Sequence, residues 1–175
     1  REKLNPTGYK PNVVHKTLAI MEEKGLLSSI ITQNIDGLHE MAHSKNVLNL
    51  HGTVYSNTCT KCHKKYDLKY VLESKEIPLC SCGGIIKPDV VLYEEPLDYE
   101  TLDKAINEIK SADTLIIGGT SLLVYPAASL INYFNGKHII LINKEETKSD
   151  YKADIVIHDK LGNVFKKIKD AITSL

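Results

Sequence analysis

All four cysteines of this chain fall in one short window, at Cys59, Cys62, Cys80 and Cys82. The order C-x2-C, a 17-residue spacer and C-x-C reads as the ligand set of one tetrahedral zinc ion. Two other readings stay open at this point. Disulfides would need an oxidising compartment, and unrelated buried thiols would have no reason to cluster. Four thiolates leave no open coordination position, so the expected role of the metal is structural. Gly83 and Gly84 follow the second pair directly and would let the backbone close around an ion.

A length of 175 residues suits one domain with a small subdomain. Lys plus Arg and Asp plus Glu balance at 22 each, so no net field attracts nucleic acid or an anionic membrane. No stretch of about 20 apolar residues is present to span a bilayer. The expectation is a cytoplasmic globular protein with no nucleic-acid or membrane partner.

Outside the cysteine window, helical and extended patterns alternate. Val14, Leu18 and Met21 recur at helical spacing between Pro11 and Gly25. Apolar runs at residues 29–32, 47–50, 90–93, 114–117, 138–142 and 154–157 read as strands. Helices are expected at about 68–73, 99–110, 127–134 and 161–175. Alternation of helices with fully apolar strands predicts an α/β fold with a parallel sheet covered on both faces.

In such sheets, ligands bind beyond the carboxyl ends of the strands. Small polar groups follow four of the expected strands: Gln33, Asn34 and Asp36, then His51-Gly52, then Gly118-Gly119-Thr120-Ser121, then Asn143. A Gly-Gly turn after a strand can cradle a phosphate or ribose, or be no more than a tight turn. Asp36-Gly37 fits a sugar-binding carboxylate and equally an Asx turn. His51 is placed to be a general base near neutral pH, although a lone histidine is more often structural. Neither a G-x-G-x-x-G nor a Walker motif is present.

Five blocks in order carry a resemblance to a known family. They are Pro11-Asn12 with His15, Thr32-Gln33-Asn34-Ile35-Asp36-Gly37-Leu38-His39, Leu50-His51-Gly52, the cysteine tetrad, and Gly119-Thr120-Ser121-Leu122 with Val124 and Pro126-Ala127-Ala128. Together they resemble the sirtuins, which are NAD-dependent protein lysine deacylases. The likeness implies a Rossmann-like, parallel-sheet NAD-binding domain at 1–53 and 88–175, with an inserted zinc-binding subdomain at 54–87. It implies that His51 is the general base, taking a proton from the nicotinamide ribose after the acyl oxygen attacks the anomeric carbon. The acyl group would then leave on ADP-ribose. By the same likeness Gln33, Asn34 and Asp36 hold the nicotinamide and its ribose. Gly119, Thr120 and Ser121 contact the adenosine ribose and phosphates, and Asn143 a ribose hydroxyl. Val91, Tyr93 and Val124 flank an acylated lysine peptide bound as an extended strand. NAD and zinc are the implied cofactors, with Cys59, Cys62, Cys80 and Cys82 as the metal ligands.

The chain also departs from the family pattern. Tyr93-Glu94-Glu95 stands for the usual F-G-E, placing a glutamate where the family has glycine. The C-x-C pair is one residue shorter than the commoner C-x2-C. The family's opening strand, its G-A-G-[IV]-S phosphate loop and its D-F-R stretch are expected to precede Arg1, so the 175 residues alone are expected to bind NAD weakly and turn over poorly. Two other functions share these features. One is protein mono-ADP-ribosylation on the same fold, and the other is a zinc-ribbon binding module.

Overall fold

The computed structural model describes residues 5–120, 122–123, 125 and 127–174. Helix α1 (Val13–Glu23) begins at a capping box. Asn12 Oδ1 accepts from the Val14 amide at 2.9 Å, and His15 Nδ1 reaches back to the Asn12 amide at 3.2 Å. The chain then forms β1 (Ile30–Thr32), a short α2 (Leu38–Met41) and β2 (Val47–Asn49). Strands β1 and β2 pair in parallel, with Thr32 opposite Asn49. Glu22 near the end of α1 fixes the entry to β2, its carboxylate accepting from the amides of Lys45 and Asn46 at 2.9 and 2.7 Å.

A second parallel sheet, in the order β6-β7-β8, is made of Thr114–Gly118, His138–Ile142 and Ile155–Ile157. Helix α4 (Tyr99–Ser111) precedes it, capped by the Asp98 carboxylate on the Thr101 amide at 2.8 Å. Helix α5 (Leu161–Thr173) closes the fold. One apolar cluster joins the two parallel sheets, with Ile31, Leu48 and Leu50 packed with Leu115, Leu130 and the Ala105 and Ile109 face of α4. A second cluster holds α1 against α5 through Val14, Met21 and Phe165, over the Ile142 side of β7. Leu141 and Ile142 are each 1% exposed, a burial that stabilises by about 2 kcal/mol per side chain.

Between the parallel sheets in sequence lies an antiparallel one, in the order β4-β3-β5, from Lys65–Asp67, Gly52–Cys59 and Ile86–Val90. The Asp89 carboxylate on β5 ties its strands together. It accepts from Ser56 and Thr58 of β3 and from Lys65 of β4, the last two at 2.6 and 2.8 Å. Helix α3 (Leu68–Glu73) packs over this sheet at the predicted position.

The extended run expected at residues 90–93 ends at Val90 and belongs to this antiparallel sheet instead of the parallel one. Pro88 lies within it, and β5 is an edge strand, where a missing amide hydrogen is tolerated. The helix expected at 127–134 is a 3-10 helix, Ala127–Tyr133. Among the described residues no helix is long and apolar enough to cross a membrane.

Helices α1 and α2 meet through two buried imidazoles, His15 and His39, with ring centroids 4.6 Å apart. Burial pushes both below their ordinary value of 6.5. Asp36 opposes the shift at His15; at His39 the neighbouring His15 adds to it, while Glu40 and Asp36 oppose it. The unfolded chain therefore binds protons more readily than the folded one. Stability is full above the ordinary value and is lost as pH falls below it. Thermal midpoints measured between pH 7.5 and 5 should fall with acidification, and His39→Phe should flatten that slope while keeping the ring contact. An unchanged slope in the variant would remove His39 as its source.

Candidate functional site

The parallel ladder of β1 and β2 continues past both strands. The Leu50 amide donates to Thr32 O at 2.9 Å, and His51 Nδ1 lies 3.1 Å from Gln33 O. A carbonyl can only accept, so Nδ1 carries the hydrogen, and in the neutral ring the lone pair is then on Nε2. The Val91 amide donates to His51 O at 3.0 Å, and the Val54 amide to Ile35 O at 3.2 Å. Gly52 has φ +74°, and a Cβ there would stand 2.0 Å from Asp89 O, so no other residue fits behind the histidine without moving β5. Gln33, Asp36, His51 and Val91 are thus half-buried members of one neighbourhood, with Asn34 exposed beside them.

Asp36 makes the Asx turn anticipated for it, with Oδ1 accepting from the Leu38 amide at 3.1 Å. Thr32 does the same for Asn34, its hydroxyl accepting that amide at 3.0 Å. Asp36 also lines a cavity of about 180 Å³ with Pro6, Tyr9, Ile35, Leu38 and Val54. The cavity gives the carboxylate a partly apolar chamber. The Asp36 carboxylate opposes the burial-driven downward shift at both His15 and His39, and His15 reaches it from another helix.

Of the other predicted cofactor residues, Gly119 and Thr120 follow β6 and Asn143 follows β7. The Gly119 amide donates to Ile142 O, and the Asn143 amide to Ile157 O, both at 3.1 Å. Gly119 has φ +63°, and both glycines of the turn are exposed, so the backbone of Gly118-Gly119-Thr120 is open to a ligand. The Thr120 hydroxyl accepts the Leu122 amide at 3.2 Å. Asn143 Nδ2 is engaged by Glu145 O at 2.8 Å. Ser121 and Val124 lie outside the described residues.

Beyond Val91 the chain turns sharply. The Glu95 amide returns to Leu92 O at 3.1 Å, and Glu94, with φ +69°, takes the left-handed position that glycine ordinarily fills. Holding a glutamate there costs roughly 1–2 kcal/mol. The Glu95 carboxylate braces the turn, accepting from the Leu92 amide and from Lys87 Nζ, each at 3.0 Å. Glu94 is exposed, and Tyr93 is fully so.

The four cysteine sulfurs lie within 4.8 Å of one another, with Cys59–Cys82 at 3.6 Å and Cys62–Cys80 at 3.5 Å. A tetrahedral zinc with bonds of about 2.3 Å sets sulfurs about 3.8 Å apart, so the set fits this ion. The loops are shaped for it. Gly83 has φ +78°, and a Cβ on Gly84 would stand 2.6 Å from Cys59 Sγ. Backbone hydrogens also converge on sulfur, with the Lys61 and Cys62 amides 3.4 and 3.5 Å from Cys59. The Cys82 amide and then the Tyr66 hydroxyl hold the Cys80 thiol down to about 5. At Cys62 the Lys64 amide pulls downward, but the crowded sulfurs of Cys82, Cys80 and Cys59 outweigh it and push the thiol up to about 12. A cation shared by the four sulfurs would relieve the crowding that holds Cys62 up.

Comparison with known proteins agrees with this geometry. The Sir2 family profile matches residues 1–126, and the chain belongs to that family. An NAD-dependent protein deacetylase of Clostridium perfringens is 59% identical over 172 residues, covering 97% of this chain and 70% of the relative. One from Clostridium tetani is 51% identical over 174 residues, covering 98% and 70%. Among solved structures, a Sir2–p53 peptide–NAD+ complex superposes with TM-score 0.90 at 36% identity, covering 97% of this chain and 73% of that one. A Sir2 bound to acetylated peptide gives 0.89 at 36%, covering 96% and 73%.

Chelating the metal should lower the thermal midpoint by roughly 5–10 °C, because structural zinc contributes folding free energy outright. A midpoint indifferent to chelator would show that the tetrad does not hold the lobe together.

Proposed function

We propose that this chain is an NAD-dependent protein lysine deacylase, moving an acyl group from lysine to ADP-ribose with release of nicotinamide. The observation that carries the reading is the hydrogen bond from His51 Nδ1 to Gln33 O, which leaves Nε2 free to take a proton. NAD, when bound, supplies the electrophilic sugar carbon. Gln33, Asn34 and Asp36 would hold the nicotinamide and its ribose beside His51. The open Gly119-Thr120 turn and Ser121 would take the adenosine ribose and phosphates, and Asn143 a further hydroxyl. Family membership and relatives that are themselves NAD-dependent deacetylases support acyl transfer and not ADP-ribosylation of protein.

The acylated lysine would arrive on an extended peptide beside Val91 and Tyr93, with Val124 on the other side. Solved Sir2 proteins bound to acetylated and propionylated peptides support this mode. The zinc lobe, residues 54–87, would stabilise one wall of the cleft without touching the reacting atoms. A cytoplasmic location belongs to the same reading, supported by the bacterial relatives.

The test is product analysis by mass spectrometry in the natural protein that carries this sequence, given NAD and an acetyl-lysine peptide. Free lysine and O-acetyl-ADP-ribose are expected, and His51→Ala should lower their formation by about 100-fold or more with an unchanged circular dichroism spectrum. A peptide heavier by ADP-ribose, or full activity in the variant, would overturn the reading.

A further inference from the structure

We propose that Tyr66 is a positioning residue of the metal centre, its phenol O–H donating to the Cys80 sulfur and so setting how firmly the site holds zinc. The hydroxyl oxygen lies 3.0 Å from Cys80 Sγ, a short contact for a sulfur acceptor. Tyr66 ends up there because several elements hold its ring. It extends from β4 into the apolar cluster of Cys59, Val71, Cys80 and Ile86, and its ring packs against Tyr70 of α3, with centroids 4.6 Å apart and planes tilted by 42°. Tyr70 in turn donates its own hydroxyl to Leu79 O at 2.9 Å. Two touching rings therefore grip consecutive residues, Leu79 and Cys80, at the entrance to the second cysteine pair.

That pair is the tight one, with a single residue between its cysteines. At the first pair the Lys61 and Cys62 amides converge on Cys59. At the second, the Cys82 amide acts on Cys80, the Ser81 hydroxyl stays 4.0 Å away, and Tyr66 adds a close O–H from another strand. Four thiolates around a divalent ion leave two negative charges in a partly buried lobe. A donor on sulfur spreads that charge and keeps the lone pair directed at the metal. Without it, the sulfur's charge is held less well in the lobe, its lone pair is free to swing off the metal, and the ion leaves sooner.

Zinc-loaded protein is mixed with a chromophoric chelator, and the rate of metal transfer is followed. Tyr66→Phe keeps the ring contact and should transfer zinc about tenfold faster or more. Tyr70→Phe, which loses a bond to a carbonyl and not to sulfur, should speed transfer less. Cobalt-substituted Tyr66→Phe should show its thiolate-to-metal charge-transfer band at lower energy, because a sulfur without a donor holds its lone pairs less tightly. Wild-type transfer rate and an unmoved band in Tyr66→Phe, or equal acceleration in both variants, would overturn the proposal. Should Tyr66→Phe not fold, the otherwise natural protein made with 3-fluorotyrosine decides the matter. Of the nine tyrosines, Tyr66 is the one bonded to a ligating sulfur among the described residues. A more acidic phenol there should move the cobalt band to higher energy, and a stationary band would overturn the proposal.

Discussion

The parallel pairing of β1 with β2 is the constraint from which the rest of the site follows. Three residue pairs in register, Ile30 with Val47, Ile31 with Leu48 and Thr32 with Asn49, bring the two chain ends out side by side. The ladder then runs on without regular strand, through the Leu50 amide on Thr32 O and His51 Nδ1 on Gln33 O. The last rung differs from the others because a side chain has replaced the backbone donor. A one-residue slip would turn His51 to the opposite face and break the contact. The apolar packing of Ile31, Leu48 and Leu50 makes such a slip costly, since it would expose them.

One continuous strand connects this chemistry to the metal. Strand β3 starts at Gly52, immediately after His51, and ends at Cys59, a metal ligand. Its neighbours hold it at both ends, the Val91 amide on His51 O and the pairing of Gly52 with Val90 at the start, and Asp89 on Ser56 and Thr58 with the Thr60 amide on Ile85 O at the finish. Ordering the sulfurs therefore orders the far end of the segment that carries the histidine. This gives a structural metal a stake in the geometry of a site it does not touch. The tilted contact of Tyr66 with Tyr70 serves the same end by fixing the second cysteine pair from outside the loop.

Much of this was readable from residues alone, and the exceptions have physical causes. The cysteine tetrad needed only spacing, and α3 and α4 only periodicity and caps. Strand β3 was hidden because Gly-Thr-Val-Tyr-Ser-Asn-Thr-Cys is neither an apolar run nor a clean alternation. Its stability comes from cross-strand partners that are distant in sequence. Strand β5 contains Pro88, which speaks against a strand until its place at a sheet edge is known. The parallel strands appeared as one series by pattern, whereas they form separate β1-β2 and β6-β7-β8 ladders joined by side-chain packing. His15 and His39 gave no local sign of a shared role. Their contact depends on how α1 and α2 dock, which is set by tertiary packing.

Amide chemical shifts followed by NMR while NAD is added test most directly whether these strand ends form one binding surface. Shifts should concentrate at residues 33–36, at 51–52, at 118–120 and at 143, and should saturate together with one dissociation constant. Shifts confined to one of the two ladders, or spread over the zinc lobe while His51 and Gly119 stay silent, would contradict a single surface.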